Sequence, residues 1–253
     1  MKLDLNGDLG EGEPPARTRA LMRCITSANV ACGGHAGDAA TMRACALAAK
    51  QFGVRLGAHP GPWSREDRGR SAVQIAPAEL ELLLLQQVSA LEKIASGCRM
   101  ELHHVKLHGA LYHATESDEK LARAYVRAVK RWWPRLKIYA LAGGTVFRAA
   151  RRLGVPLWQE AFADRGYRDD GSLVSRDQPG ALVTDVTEVS NRVAKMADLQ
   201  QVKTVTGHLL RLRPQTICVH SDTPNSPSIA RALASLKGTF ERRAARPAVP
   251  TCD

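Results

Sequence analysis

The chain has few aromatic residues, and this scarcity limits what it can bind. Phe, Trp and Tyr make up 5% of its 253 residues, which leaves little surface for stacking the bases of single-stranded nucleic acid. No apolar run approaches the roughly 20 residues of a membrane-spanning helix, and the first residues lack a charged-then-apolar signal segment. We therefore predict a cytoplasmic protein that binds neither nucleic acid nor membranes.

Cysteine pairs and phosphate-loop motifs are also missing. The six Cys include no C-x-x-C pair, so we interpret most of them as small buried hydrophobic residues. No G-x-x-x-x-G-K-S/T loop occurs, and the best candidate for a nucleotide cradle is Gly143–Thr145 at a strand-to-helix junction. The net charge of +11 comes from scattered Arg residues and favours anionic substrates or acidic partner subunits.

Short apolar runs alternate with helix-like segments along the chain. The pattern predicts strands at Lys2–Asn6, Ala28–Cys32, Val54–Ala58, Leu102–Leu107, Leu136–Leu141, Leu157–Ala161 and Thr216–His220. The predicted helices span residues 39–52, 77–96, 117–133, 145–152, 185–199 and 226–236. Strands that are each followed by a helix form a parallel sheet with crossover connections, so the fold class is α/β.

The distribution of polar residues favours a closed barrel over an open sheet. An open, doubly wound sheet concentrates its site at one switch point, whereas six of the seven predicted strand ends here carry polar groups. We predict a single domain over residues 1–240, a seven-stranded parallel β/α barrel of distorted TIM type. A lid loop over 166–180 and a basic, Pro-containing tail over 241–253 are also predicted.

The polar residues at the predicted strand ends form the candidate site. In chain order they are Asn6, Asp8, Asn29, His35, His59, Lys106, His108, Glu160, Asp164, Arg165 and His220. A Lys and a His two residues apart on one strand face, as at 106 and 108, can polarise an oxygen and move a proton. Structural roles stay open as alternatives, such as a loop histidine for His35 and a rim salt bridge for Glu160 with Arg165. His103 and His104 begin the fourth strand and are interpreted as structural.

Six segments of the chain resemble segments of a known family and occur in the family's order. Asp4–Glu11, Ala28–Asp38, Gly57–Gly61, His104–Tyr112, Glu160–Arg165 and Thr216–His220 resemble the LamB/YcsF family. That resemblance implies the A component of a bacterial ATP-dependent 5-oxoprolinase, which opens the lactam of 5-oxoproline to L-glutamate together with subunits B and C. It also implies a barrel related to the polysaccharide deacetylases. The chain departs from the family pattern at Gly34, where Phe is usual, and in the loop 62–70.

A mechanism follows from the resemblance together with these residues. ATP, with Mg²⁺, would phosphorylate the amide oxygen so that water can attack the activated carbon. Lys106 and Arg165 would hold anionic oxygens. The predicted catalytic set is Asp8, His59, Lys106, His108 and Glu160, with a carboxylate as base and an imidazole as proton carrier. Asn6, Asn29, His35, Asp164, Arg165 and His220 are predicted to bind substrate or phosphate, and this function predicts no metal ligands.

Two other functions are kept as alternatives. A metal-dependent amide or carbohydrate deacetylase would use Asp and His at the strand ends, with Zn²⁺ or Mn²⁺ bound by His35, His59 or His220. A non-catalytic basic scaffold that binds nucleic acid would explain the positive net charge, but it does not explain the polar residues at the strand ends.

Overall fold

Seven parallel strands close into a barrel at the centre of the molecule. The structure, a computed structural model, describes residues 3–244. The strands of the barrel are β1 (Asp4–Leu9), β2 (Ser27–Ala31), β3 (Arg55–His59), β4 (Leu102–Val105), β5 (Lys137–Leu141), β6 (Leu157–Phe162) and β9 (Thr216–His220). Each pairs with the next in chain order, and β9 pairs with both β6 and β1 to complete the closure. The predicted seven-stranded parallel barrel is confirmed.

Helices cover the outside of the barrel. They are α1 (Pro15–Met22), α2 (Ala39–Phe52), α3 (Pro77–Gly97), α4 (Gly109–Ser117), α5 (Glu119–Trp132), α6 (Thr145–Leu153), α7 (Val186–Asp198) and α8 (Ser226–Ala244). The strands are apolar on the outer face and bury residues such as Val30, Leu56 and Ile217 completely against these helices. This two-sided burial is expected of a parallel sheet that helices cover.

Local capping explains where several helices begin. The Asp38 carboxylate accepts a hydrogen bond of 2.8 Å from the Thr41 N–H and starts α2, as the sequence predicts, and Gly53 ends it in a left-handed conformation. Asp118 accepts from Lys120 N and Leu121 N and starts α5. The helix predicted over 117–133 is therefore α5, and the preceding helix α4 was not predicted.

Some elements were not predicted. Helix α1 has no strong apolar stripe, because Arg17 and Arg19 alternate with small residues, and a hairpin of β7 (Gln201–Lys203) and β8 (Leu209–Arg211) precedes β9. Helix α8 continues to Ala244, into the range assigned to the tail. The rest of that tail lies outside the described residues, and its boundary stays a prediction. Within residues 3–244, no helix combines the length and apolar character needed to cross a bilayer.

The loop after β6 folds back over the top of the barrel. Its residues pair through isolated bridges, Arg165 with Leu182 and Tyr167 with Leu173. Tyr167 is fully buried, and its hydroxyl accepts a hydrogen bond of 2.8 Å from Phe162 N at the end of β6. The predicted lid is therefore an ordered loop that forms one wall of the space above the strand ends.

Candidate active site at the C-terminal mouth of the barrel

The N-terminal end of the barrel is closed by a purely structural network. Asp4 accepts hydrogen bonds from the hydroxyls of Thr26, Ser27 and Thr216 at 2.6 to 2.7 Å. The Arg55 guanidinium adds an ion pair of 3.1 Å. Because Asp4 has all of these partners at the far end of the strands, it fixes the strand register and takes no part in the site.

A polar layer in the middle of the barrel supports the floor of the site. The side-chain amide of Asn29 donates to Asn6 Oδ1 at 2.7 Å and to Asp8 Oδ1 at 2.6 Å. His104 Nε2 donates to Asn29 Oδ1 at 2.6 Å, which fixes the orientation of that amide. Asn6 Nδ2 in turn donates to Glu160 Oε1 at 2.9 Å. Asn6 and Asn29 were predicted to bind substrate or phosphate, but both are fully buried below the cavity and act as supports.

Lys106 lies at the centre of this floor, directly after β4. Its Nζ is 2.8 Å from Asp8 Oδ1, 3.1 Å from Glu160 Oε1 and 5.4 Å from the Phe162 ring centroid. Burial alone would lower the pKa of Lys106, but the charges of Asp8 and Glu160 and the hydrogen bond to Asp8 together outweigh it, so the pKa is raised and the ammonium stays charged. The site therefore holds one buried cation between two carboxylates.

The two carboxylates beside Lys106 differ in their electrostatics. Burial raises the pKa of Asp8, but the His59 imidazole and the Lys106 ammonium beside it together outweigh this effect and hold the pKa well below the usual value. For Glu160 burial prevails over Lys106, and the pKa is raised. Its Oε2 atom is buried without a hydrogen-bond partner, as is the hydroxyl of Tyr112. Asp8 thus supplies the fixed charge that faces the cavity, while Glu160 lies behind Lys106.

Asp164 positions His220 at the end of β9. Its Oδ1 accepts from His220 Nδ1 at 2.9 Å, and its Oδ2 accepts from His220 N at 3.0 Å and from the Thr223 hydroxyl at 2.6 Å. Burial opposes ionisation of Asp164, but the His220 charge and these hydrogen bonds lower its pKa to about 2. Since Nδ1 donates to Asp164, the opposite ring nitrogen, Nε2, faces Asp8 Oδ2 at 3.9 Å. Asp164 is therefore a support rather than the substrate ligand that was predicted.

Three imidazoles surround the carboxylate of Glu11. Glu11 Oε1 is 2.9 Å from His108 Nδ1, 3.1 Å from His35 Nε2 and 3.5 Å from His59 Nε2. The rings of His35 and His108 stack with centroids 3.5 Å apart. The sequence predicts an anion site at His35, in its glycine-rich turn, but the ring is buried against a carboxylate that would repel an anion. Glu11 itself was weighed with Asp4 and Asp8 but was not among the predicted site residues.

A cavity of about 610 Å³ opens above these groups at the C-terminal ends of the strands. Asp8, Glu11, His59, Lys106, His108 and His220 line its lower part, and Arg70, Arg165, Arg168 and Arg176 line its rim. Arg165 was predicted to clamp an anion, but its guanidinium donates to the carbonyls of Val174 and Ala181 and so also holds the lid. Arg168 and Arg176 come from the lid and were missed, because no local pattern marks which loop residues turn inward.

The Gly143–Thr145 turn is not available for a phosphate. The Glu116 carboxylate accepts from Thr145 N at 2.5 Å and from Val146 N at 3.4 Å, and so caps α6. A carboxylate in this position excludes a second anion by charge and by space. The predicted nucleotide cradle is wrong for this reason.

Comparison with known proteins agrees with this geometry. The sequence model of the LamB/YcsF family matches residues 3–246. The chain belongs to the LamB/YcsF family. The crystal structure of a lactam utilization protein from Thermus thermophilus is similar to it at 35% identity, with a TM-score of 0.87 over 94% of this chain and 97% of that chain.

More distant likenesses of this LamB/YcsF protein concern the fold. A putative cellobiose-phosphate cleavage protein from Enterococcus faecalis has 10% identity and a TM-score of 0.56, over 95% of this chain and 94% of that chain. At that identity the likeness shows a shared barrel alone. A family 4 carbohydrate esterase from Streptomyces lividans, in complex with acetate, has 11% identity and a TM-score of 0.49, over 94% and 88% of the two chains.

Proposed function

We propose that this LamB/YcsF protein opens the lactam of 5-oxoproline to L-glutamate, as the A component of an ATP-dependent 5-oxoprolinase. The similarity to a lactam utilization protein supports a cyclic amide as the substrate class. The observation that carries the proposal is the Lys106 ammonium, held between two carboxylates on the floor of a cavity with an arginine rim. A carboxylated lactam needs one cation at its carbonyl oxygen and another at its carboxylate.

Lys106 is placed to bind the lactam carbonyl oxygen. A lactam resists hydrolysis because resonance stabilises its carbonyl and its nitrogen is a poor leaving group. A fixed cation stabilises the negative charge on the lactam oxygen, and on the phosphoryl oxygens that it carries once activated, while water attacks the carbonyl carbon and the ring C–N bond breaks. Asp8 and Glu160 hold the ammonium in place before the reaction, and Asn29 holds Asp8, so no reorganisation is needed at that moment.

His220 is the imidazole best placed to move a proton. The attacking water must lose a proton, and the ring nitrogen that leaves must gain one. His220 Nε2 faces the cavity next to Asp8, while Asp164 fixes the opposite side of the ring. His59 Nε2 also lies near Asp8, 3.4 Å from Oδ2, but this nitrogen and His108 Nδ1, which were predicted to carry protons, are only 3.0 Å apart and both contact Glu11. We therefore assign proton transfer to His220 with Asp8.

The rim suits the anionic parts of the substrates. Arg70, Arg168 and Arg176 line the cavity entrance. Arg70 and Arg176 each form an ion pair with Asp222, and their remaining N–H groups, with those of Arg168, can bind carboxylate or phosphate oxygens. When bound, ATP supplies the phosphoryl group that activates the lactam oxygen. The rim arginines are the residues of this chain that fit its phosphates, since the described residues offer no glycine-rich cradle with free N–H groups at Gly143–Thr145.

The proposal is tested by following glutamate release from 5-oxoproline, with and without ATP and with and without candidate subunits B and C. We expect release only in the complete mixture. Lys106→Met should lower the rate by about 100-fold or more, because the oxyanion loses its cation. Lys137→Met is the matched control, since Lys137 lies at the other end of the barrel next to His103. Retention of more than about a tenth of the rate by folded Lys106→Met would exclude the assignment.

A metal-dependent amide or carbohydrate deacetylase stays the second candidate. One observation favours it: His35 and His59, two of the three ligands that it requires, lie together with Glu11 and His108. Release of acetate from an N-acetylated sugar or amide in the presence of Zn²⁺ or Mn²⁺, without ATP or partner subunits, would support this candidate over the first.

A further inference from the structure

We propose that Glu11, His59 and His108, with His35 as a fourth ligand, bind one divalent transition-metal ion in the wall of the main cavity. The ligand atoms of these four residues all lie within 4.8 Å of one another. They come from four different strand ends, and three of the residues line the cavity. Such convergence brings several potential ligands together at one point that a solute can reach from the cavity.

The hydrogen bonds of two rings show that their inner nitrogens are free to coordinate. His59 Nδ1 is 2.8 Å from Lys106 O, and His108 Nε2 is 2.8 Å from Arg68 O. A carbonyl oxygen only accepts, so each of these ring nitrogens must carry a proton. In the neutral rings, His59 Nε2 and His108 Nδ1 then each carry a lone pair and no proton. Metal-ligating histidines have this arrangement, in which the outer N–H donates to a carbonyl or carboxylate.

The inner atoms approach each other in a way that hydrogen bonds alone do not explain. The two lone-pair nitrogens are 3.0 Å apart, and both face Glu11 Oε1. Without an ion, hydrogen bonds from both rings to this one oxygen would place a proton on each inner nitrogen, and the two N–H groups would then crowd each other across 3.0 Å. A single divalent cation between the three atoms removes the lone-pair repulsion and neutralises the carboxylate.

The spacing also fits a metal site. Ligands of a tetrahedral Zn²⁺ site with bonds of about 2.0–2.1 Å lie about 3.3 Å from one another. The observed separations among Glu11 Oε1, His59 Nε2 and His108 Nδ1 are 2.9, 3.0 and 3.5 Å. Imidazole nitrogens with one carboxylate oxygen suit Zn²⁺, Co²⁺ or Mn²⁺, whereas Mg²⁺ and Ca²⁺ prefer oxygen ligands throughout.

A second group of potential ligands, Asp8 with Cys218 and His220, is less suitable. The Lys106 ammonium lies 3.1 Å from Cys218 Sγ and 2.8 Å from Asp8 Oδ1, so a cation already occupies this position. Burial raises the pKa of the Cys218 thiol, which opposes the thiolate that a metal requires. The ion is therefore assigned to the imidazole cluster.

Metal binding can be tested on the protein alone, without any assay of lactam cleavage. Untagged protein is stripped with a chelator and titrated with ZnCl₂ by calorimetry, and its metal content is then measured. We expect one equivalent to bind. Glu11→Gln, His59→Ala and His108→Ala should each lower the Zn²⁺ affinity by about 100-fold or more. His208→Ala is the control, because His208 is exposed on the β7–β8 hairpin, and it should bind as the unaltered protein does.

Loading the unaltered protein with Co²⁺ gives a spectroscopic test that needs no variant. Visible absorption of the Co²⁺-loaded, unaltered protein should show a four- or five-coordinate site with nitrogen and oxygen ligands. A thiolate charge-transfer band would place the ion at Cys218 and overturn the proposal. Absence of stoichiometric binding would also overturn it, as would full affinity in folded Glu11→Gln and His108→Ala.

Discussion

At the scale of single residues, a close backbone approach at Gly57 supports the site from below. The His104 ring lies across this glycine, and a Cβ atom there would be 2.1 Å from His104 Nε2. The missing side chain lets His104 stack on Tyr139, with centroids 3.9 Å apart, and reach Asn29. His104, which the sequence marks only as structural, thus orients the amide that holds Asp8.

Gly57→Ala should therefore disturb both packing and the site. We expect the free energy of unfolding to fall by about 1–3 kcal/mol, because the ring must move in a packed interior. Gly97→Ala is the matched control: Gly97 lies in α3 with no atom within 4 Å of the added methyl group, so stability should rise by about 0.4–1 kcal/mol. Urea denaturation measures both, and equal stabilities of the two variants would contradict the packing argument.

A second residue-scale prediction concerns the orientation of His220. Asp164→Asn places an amide beside His220 Nδ1, and if its N–H₂ turns to that nitrogen the ring must protonate at Nε2 instead. We expect the turnover number to fall by about 100-fold, with Asp164→Glu recovering part of it. Nitrogen NMR of the histidine rings reports the tautomer directly. An unchanged tautomer together with full activity would remove His220 from the mechanism.

At the scale of elements, the half-buried carboxylate of Glu116 on α4 caps the N-terminus of α6. Burial raises the pKa of Glu116 to about 7, although the Thr145 N–H favours its ionised form. In the unfolded chain the usual value is 4.5. Because the folded pKa is raised, the folded protein binds the proton more tightly. The contribution of this group to stability is greatest below about pH 4.5 and is lost as the pH rises to about 7.

Glu116→Gln should remove this dependence. The Gln oxygen can still accept from the helix N–H groups, but it does not ionise. The difference in unfolding free energy, variant minus unaltered protein, should rise between about pH 5 and pH 8 by at most about 3 kcal/mol. Urea denaturation across this range measures it. Glu119→Gln, at an exposed position on α5, should show no such trend, and parallel curves for Glu116→Gln would contradict the expectation.

Elements that the sequence did not predict share one physical property. Helix α1 and the hairpin of β7 and β8 have few apolar positions, so no periodicity marks them. They form because the barrel offers a surface for Leu21, Met22 and Val202, which are buried only after the chain has closed. The boundary between α4 and α5 depends in the same way on one capping residue, Asp118.

At the scale of the whole molecule, the net positive charge and the arginine rim of the cavity both favour anionic substrates. The net charge of +11 and the arginine rim should attract anionic substrates over a distance comparable with the screening length, about 10 Å at 0.1 M salt. We expect kcat/KM for 5-oxoproline in the complete assembly to fall several-fold as salt is raised. The uncharged lactam 2-pyrrolidinone is the control and should show little change. Equal salt dependence for both lactams would contradict electrostatic attraction.

The sequence by itself determined the barrel and which polar residues lie at its strand ends. Parallel strands separated by helices, with polar groups such as Asp8, His59, Lys106 and His220 at their ends, restrict the chain to a closed sheet whose strand ends meet. Family membership was also evident from short segments, because these carry the residues that the strand ends require.

Only the tertiary structure decided which of these side chains face the cavity and which support them. Asn29 and Asp164 have the residue types of ligands, yet each uses its hydrogen bonds on another side chain. Glu11 belongs to the site because three imidazoles from different strand ends contact its Oε1 atom. The physical reason is that a hydrogen-bond partner or a metal ligand is set by distance in space, and sequence separation carries little information about that distance.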